Sequence, residues 1–203
     1  AAKGLNCFCK MLLRDNFIHG DMHPGNILID AKDPKKPQAI MIDVGLCQKL
    51  SVHESKVYHD LMASFVHWDP ELNTDAILRM SDKQSFCTIN KFKEETTAMF
   101  AAYRPVSGDE ENVVSNIVES QFGVVRNNYV TLDPSFVNLL CSVLVQETFI
   151  MALNPEYNMV RNCAPWLVSE GHISKSTLKK LFLSQYDTVA KKLNFFADDL
   201  RGK

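Results

Sequence analysis

The segment from residue 19 to residue 45 constrains the fold more tightly than any other part of the chain. It reads His19-Gly20-Asp21-Met22-His23-Pro24-Gly25-Asn26, then the apolar run Ile27-Leu28-Ile29. After a polar stretch comes a second run, Ala39-Ile40-Met41-Ile42, and then Asp43-Val44-Gly45. Residues 30–38 hold Pro34, Pro37 and the lysines at 32, 35 and 36, a composition that reads as a solvated turn. Two short strands around such a turn form a hairpin. That hairpin brings the Asp21–Asn26 loop and the Asp43–Gly45 loop to one pocket.

The remainder reads as helix. Leu5, Phe8, Leu12 and Leu13 recur at helical spacing and predict a first helix that stops near Arg14-Asp15-Asn16. Ser51-x-x-Glu54 is a capping-box pattern, followed by Val57, Leu61 and Phe65 on one face. Asp69-Pro70 and Asp133-Pro134 read as helix starts with proline at the first position. Ser107-x-x-Glu110 repeats the capping box before Val113, Val114, Ile117 and Val118. Residues 134–153 are apolar nearly all round and predict a helix central to the core. Its Asn138, Gln146 and Glu147 argue against a membrane span. Leu178, Leu181, Phe182, Tyr186, Val189 and Leu193 suggest a final amphipathic helix. The expected fold is mainly α with a small β-hairpin.

The loop residues have the chemistry of phosphoryl transfer. That reaction needs a carboxylate to orient a hydroxyl and take its proton, and hard oxygen ligands to hold Mg²⁺ against nucleotide phosphates. Asp21 and Asn26 stand five positions apart, the spacing of the catalytic loop His-Arg-Asp-x-x-x-x-Asn of protein kinases, and Asp43-x-Gly45 follows in the order of Asp-Phe-Gly. Asp21 is the candidate catalytic base, and Asn26 and Asp43 the candidate metal ligands. Gly45 joins them in the nucleotide-binding set because it allows backbone conformations closed to other residues. His19 and His23 are expected to be structural within the loop. A lone Asp-x-x-x-x-Asn would be unremarkable. Here it sits among a preceding apolar strand, His19, His23-Pro24-Gly25, two flanking strands and Asp43-x-Gly45.

Composition narrows the class further. The formal charge of −2 over 203 residues excludes a polybasic nucleic-acid or membrane surface. The six cysteines contain no Cys-x-x-Cys pair, so they read as reduced, mostly buried thiols in a reducing compartment.

The two loops resemble the UbiB/ABC1/ADCK family of atypical kinases and also the aminoglycoside phosphotransferase and choline kinase group. The distal sequence favours the first. Leu132-Asp133-Pro134 opens a long helix ending in Leu153-Asn154-Pro155-Glu156-Tyr157-Asn158, and Ala164-Pro165-Trp166-Leu167 follows, similar to the C-terminal part of the UbiB family. The loop form resembles the branch near bacterial UbiB and the ADCK2-like mitochondrial proteins. The resemblance implies the C-terminal lobe of a kinase-like fold, ATP and Mg²⁺ as cofactors, and a role in coenzyme Q (ubiquinone) biosynthesis or lipid metabolism in the mitochondrion. Lipid or quinone-precursor ligands, or coenzyme Q biosynthesis proteins, are the implied partners, with membrane association through segments outside this chain. Val44 stands where the family's metal loop has Phe, which puts aromatic control of that loop in doubt. The family's N-terminal motifs have no counterpart here. Residues 1–203 therefore read as the C-lobe, with the N-lobe missing upstream and catalysis by this piece alone not expected. A small-molecule phosphotransferase and a non-catalytic pseudokinase scaffold are the competing readings.

Overall fold

The computed structural model describes residues 2–33, 37–103, 113–154 and 159–176. The elements run α1 (Ala2–Leu13), β1 (Phe17–His19), a 3-10 turn (Pro24–Asn26), β2 (Ile27–Asp30), β3 (Gln38–Met41), a second 3-10 turn (Val44–Leu46) and β4 (Cys47–Lys49). Helices follow: α2 (Val52–His67), α3 (Pro70–Leu78), α4 (Ile89–Ala102), α5 (Val113–Asn127), α6 (Pro134–Leu153) and α7 (Met159–Ser169). The fold is mostly helical with a small antiparallel hairpin, as expected.

Local signals account for most of the element starts. The Ser51 hydroxyl accepts from Glu54 N at 3.2 Å while the Glu54 carboxylate accepts from Ser51 N at 2.8 Å, so α2 begins with a complete capping box. Asp69 Oδ1 accepts from Glu71 N and Leu72 N, both at 3.0 Å, with Pro70 at the first helical position. Helix α6 opens at Pro134. The Ser107–Glu110 capping box and the amphipathic pattern of 178–193 lie outside the described residues.

Phe8, Leu12 and Leu13 of α1 are buried against Val57, Tyr58 and Leu61 of α2 and Leu167 of α7. Each such side chain contributes roughly 1.5–3 kcal/mol by leaving water. Helix α7 packs on α1 and α2, while α2, α3, α4 and α5 follow one another as packed neighbours. The core therefore sits directly behind the short strands.

Helix α6 departs from the expectation of a central core helix. Phe136, Ser142, Val143 and Glu147 are buried, whereas Cys141, Val145 and Leu153 are exposed. One stripe of the helix packs, and much of its apolar surface does not. Composition makes a helix apolar all round without supplying neighbours to cover it.

The contact between α2 and the turn after α7 carries a pH dependence. The His59 ring is buried, with its centroid 3.8 Å from that of His172. Burial and the neighbouring His172 push His59 down to about 4, against the opposing effects of Asp60, a hydrogen bond to Leu13 and Glu170; burial also lowers His172. An unfolded His59, near its ordinary 6.5, binds a proton that the folded chain refuses until about pH 4. Stability is therefore full above pH 6.5 and falls as the pH drops toward 4, by up to about 3 kcal/mol from this residue. Thermal melts between pH 4 and 7 should show this slope flattened in His59→Gln; an unchanged slope would exclude His59 as its source.

Candidate active site

The site is built on two pairs of short strands. β1 pairs antiparallel with β4, with His19 opposite Cys47, and β2 pairs with β3, with Ile27 opposite Met41. The strand expected over 39–42 runs instead over Gln38–Met41. Ile42 has left the ladder, and its N–H donates to the Asn26 carbonyl at 2.9 Å. The loop of Asp21 and the loop of Asp43 are joined at two further points. Gly20 N donates to Leu46 O at 3.0 Å, and His19 Nε2 lies 3.2 Å from Ile42 O.

His19 is 1% exposed. Asp21 N donates to its Nδ1 at 3.4 Å, so Nδ1 is the acceptor and Nε2 carries the proton given to Ile42 O. One buried imidazole thus ties the two loops together. Met22 is buried in the core and anchors the loop there.

Asn26 is buried, and its Nδ2 donates to the Asp21 carbonyl at 2.9 Å and to Asp21 Oδ2 at 3.3 Å. These two bonds determine which end of the amide is nitrogen. They leave Oδ1 as the end without a hydrogen-bond partner among the described residues. The Asp21 side chain is 41% exposed, and its Oδ2 lies 3.8 Å from His23 Nε2. His23 Nδ1 accepts from Gly25 N at 3.0 Å and caps the 3-10 turn that delivers Asn26. Pro24-Gly25 shapes that turn, and a Cβ on Gly25 would lie 2.8 Å from the His23 ring.

Asp43 adopts the left-handed conformation, φ 57° and ψ 73°. A non-glycine residue there is held by its surroundings, and such strain concentrates at functional sites. Its Oδ1 accepts from Gly45 N at 3.3 Å, and the residue is exposed. A Cβ on Gly45 would sit 3.2 Å from that carboxylate oxygen, so glycine gives the Asp43 turn room. Val44 is 68% exposed. It does not pack beneath the pocket, although an apolar side chain could have done so, because the tight turn after Asp43 directs it to the surface.

The structure therefore gathers Asp21, Asn26, His19 and His23 into one hydrogen-bonded unit and joins the Asp43–Gly45 turn to it through the backbone. An exposed carboxylate with one amide contact can orient a hydroxyl and accept its proton. An amide oxygen and a second carboxylate are hard donors that suit Mg²⁺. Two protein ligands are enough when substrate phosphates complete the coordination shell. No group of three or more His, Cys, Asp or Glu among the described residues could hold a metal by itself.

Two contributors were not singled out from the sequence. Gly20 leaves no room for a side chain where the loops meet: a Cβ there would lie 2.7 Å from Leu46 O. Ser142, buried on α6, shares its hydroxyl between Gly20 O at 3.0 Å and Asn138 O at 2.9 Å. A serine in the middle of an apolar helix was the available signal for the second. Nothing local indicated that it would meet residue 20.

A mainly helical lobe carrying this loop pair on its strands is kinase-like. Comparison with known proteins agrees. The ABC1 atypical kinase-like domain matches residues 1–76. The chain is 28% identical over 188 residues to "Probable protein kinase UbiB" of Histophilus somni, an alignment covering 89% of this chain and 34% of that protein. It is 28% identical over 170 residues to the protein of the same name from Blochmanniella pennsylvanica, covering 82% and 30%. It is 22% identical over 258 residues to "Probable serine/threonine-protein kinase abkC" of Dictyostelium discoideum, covering 94% and 37%. No solved structure matches. The chain is similar to the UbiB/ABC1 family of atypical kinases, through a domain match over residues 1–76 and relatives aligned over most of its length. It spans about a third of the length of the curated relatives it matches.

Proposed function

We propose that this chain supplies the catalytic and metal-binding half of a Mg-ATP-dependent atypical kinase or ATPase. The carrying observation is the joined loop pair: Asn26 bonded to Asp21 on one side and, through its carbonyl, to Ile42 beside a left-handed Asp43 on the other. In this reading Asp21 orients the attacking hydroxyl or water and takes its proton. Asn26 Oδ1 and the Asp43 carboxylate hold Mg²⁺, and Gly45 keeps the space beside Asp43 clear. When bound, Mg²⁺ would offset the charge of the nucleotide phosphates.

Residues 1–203 form the C-lobe of the ABC1/UbiB domain, and the rest of the nucleotide site belongs to an N-lobe in the whole protein. Exposed apolar side chains around the loops support a covering lobe: Leu28 at 51%, Ile40, Val44 and Leu46 at 65%. The family points to ubiquinone biosynthesis or mitochondrial lipid metabolism as the setting, with a lipid or quinone precursor as the acceptor class. The exposed Val44 favours one rival, a pseudokinase scaffold.

Nucleotide binding separates the two. Thermal melts of the full-length protein should rise with ATP when Mg²⁺ is present and not when it is chelated. Asp43→Ala should lose that rise. At nucleotide a hundredfold above Kd the stabilisation amounts to about 2.7 kcal/mol. Absence of any Mg²⁺-dependent shift in the unmutated protein would leave the scaffold reading standing.

A further inference from the structure

Two cysteines outside the candidate site meet inside the core. Cys9 lies on α1 and Cys163 on α7, 154 positions apart, and their sulfurs are 3.0 Å from each other. Both are free thiols, 0% and 1% exposed. A disulfide bond is about 2.05 Å long, so roughly 1 Å of approach separates the observed contact from a covalent link. Cys7, Cys47 and Cys87 are half-buried and Cys141 is exposed, and none of these four contacts another sulfur among the described residues.

We propose that Cys9 and Cys163 are a modification site, oxidised by hydrogen peroxide to an intramolecular disulfide that staples α1 to α7. One thiolate attacks the peroxide oxygen, giving a sulfenic acid and hydroxide, which leaves as water. The second thiolate attacks the sulfenic sulfur and expels a second hydroxide, also as water. Two thiols and one peroxide become one disulfide and two waters. The sulfurs lose two electrons and the peroxide oxygens gain them.

Two features fit this chemistry, and a third slows it. The partner sulfur is already in contact, so a sulfenic acid is trapped before it oxidises further. Peroxide is small enough to reach a site closed to larger oxidants. The contact with Cys9 and burial push the Cys163 thiol up, which keeps its thiolate scarce and the reaction slow. The link would tie α1, which runs through Asn16 into β1 and His19, to α7.

The test treats the full chain with hydrogen peroxide, unfolds it in N-ethylmaleimide and digests it without reductant. The expected product is a peptide pair joining the Cys9 and Cys163 segments, two hydrogens lighter than its halves and separated by dithiothreitol. Oxidised protein should melt several degrees higher than the same protein with dithiothreitol, since the link restricts the unfolded chain. Cys163→Ser should lose both effects and Cys141→Ser should keep both. Recovery of Cys9 and Cys163 as alkylated thiols, from a sample in which Cys141 has oxidised, overturns the proposal; so does sulfinic acid at either position. If Cys163→Ser does not fold, the unmutated protein with and without dithiothreitol decides the matter.

Discussion

Asp21→Asn in the full-length protein should lower ATP turnover by about 10²–10⁴ and leave Mg-ATP binding in place. The magnitude is that of losing a positioned general base. The fold should survive, because Asn26 Nδ2 makes its shorter bond to the Asp21 backbone carbonyl, which the substitution keeps. The longer contact, to Oδ2, finds another oxygen in the asparagine amide. Stability should stay within about 0.5 kcal/mol, as for other exposed substitutions. The contrast with Asp43→Ala is the informative part. One variant should bind nucleotide without turning it over, and the other should not bind it. Turnover at the unmutated rate in Asp21→Asn would remove Asp21 from the role of base.

Gly20→Ala should damage both stability and turnover. No described glycine except Gly171 has a positive φ, so the demand at residue 20 is for space. The added Cβ would lie 2.7 Å from the Leu46 carbonyl oxygen, a backbone atom that cannot swing aside. Relief requires β1 and β4 to separate, which breaks the Gly20–Leu46 hydrogen bond and pulls Gly20 O from Ser142. Overpacking of this kind costs about 1–3 kcal/mol. A displacement near 1 Å between the two loops lowers turnover by about 10²-fold. Denaturant unfolding and steady-state turnover measure the two effects. An alanine variant unchanged in both would show that the loops tolerate separation.

The site was legible because its parts are close in sequence. Asp21, His23, Gly25 and Asn26 interact over two to five positions, and the hairpin follows from two apolar runs around a polar turn. Helix starts at Ser51, Asp69 and Pro134 were legible for the same reason, since a cap is a contact over two or three residues. The strand β4 was missed. Cys47–Lys49 is too short to show periodicity, and it forms because β1 lies beside it.

Residue spacing alone therefore determined the order of the loop residues, their chemical types, the hairpin and the helical character of the remainder. The tertiary structure decided what lies beneath and around them. It set Gly20 against Leu46, Ser142 against Gly20, Cys9 against Cys163, and left much of α6 and all but a third of Val44 uncovered. Short-range hydrogen bonds depend on a few neighbouring side chains, which a sequence displays in order. Contacts across 26, 122 or 154 positions depend on how whole helices and strands pack, and no local pattern records that.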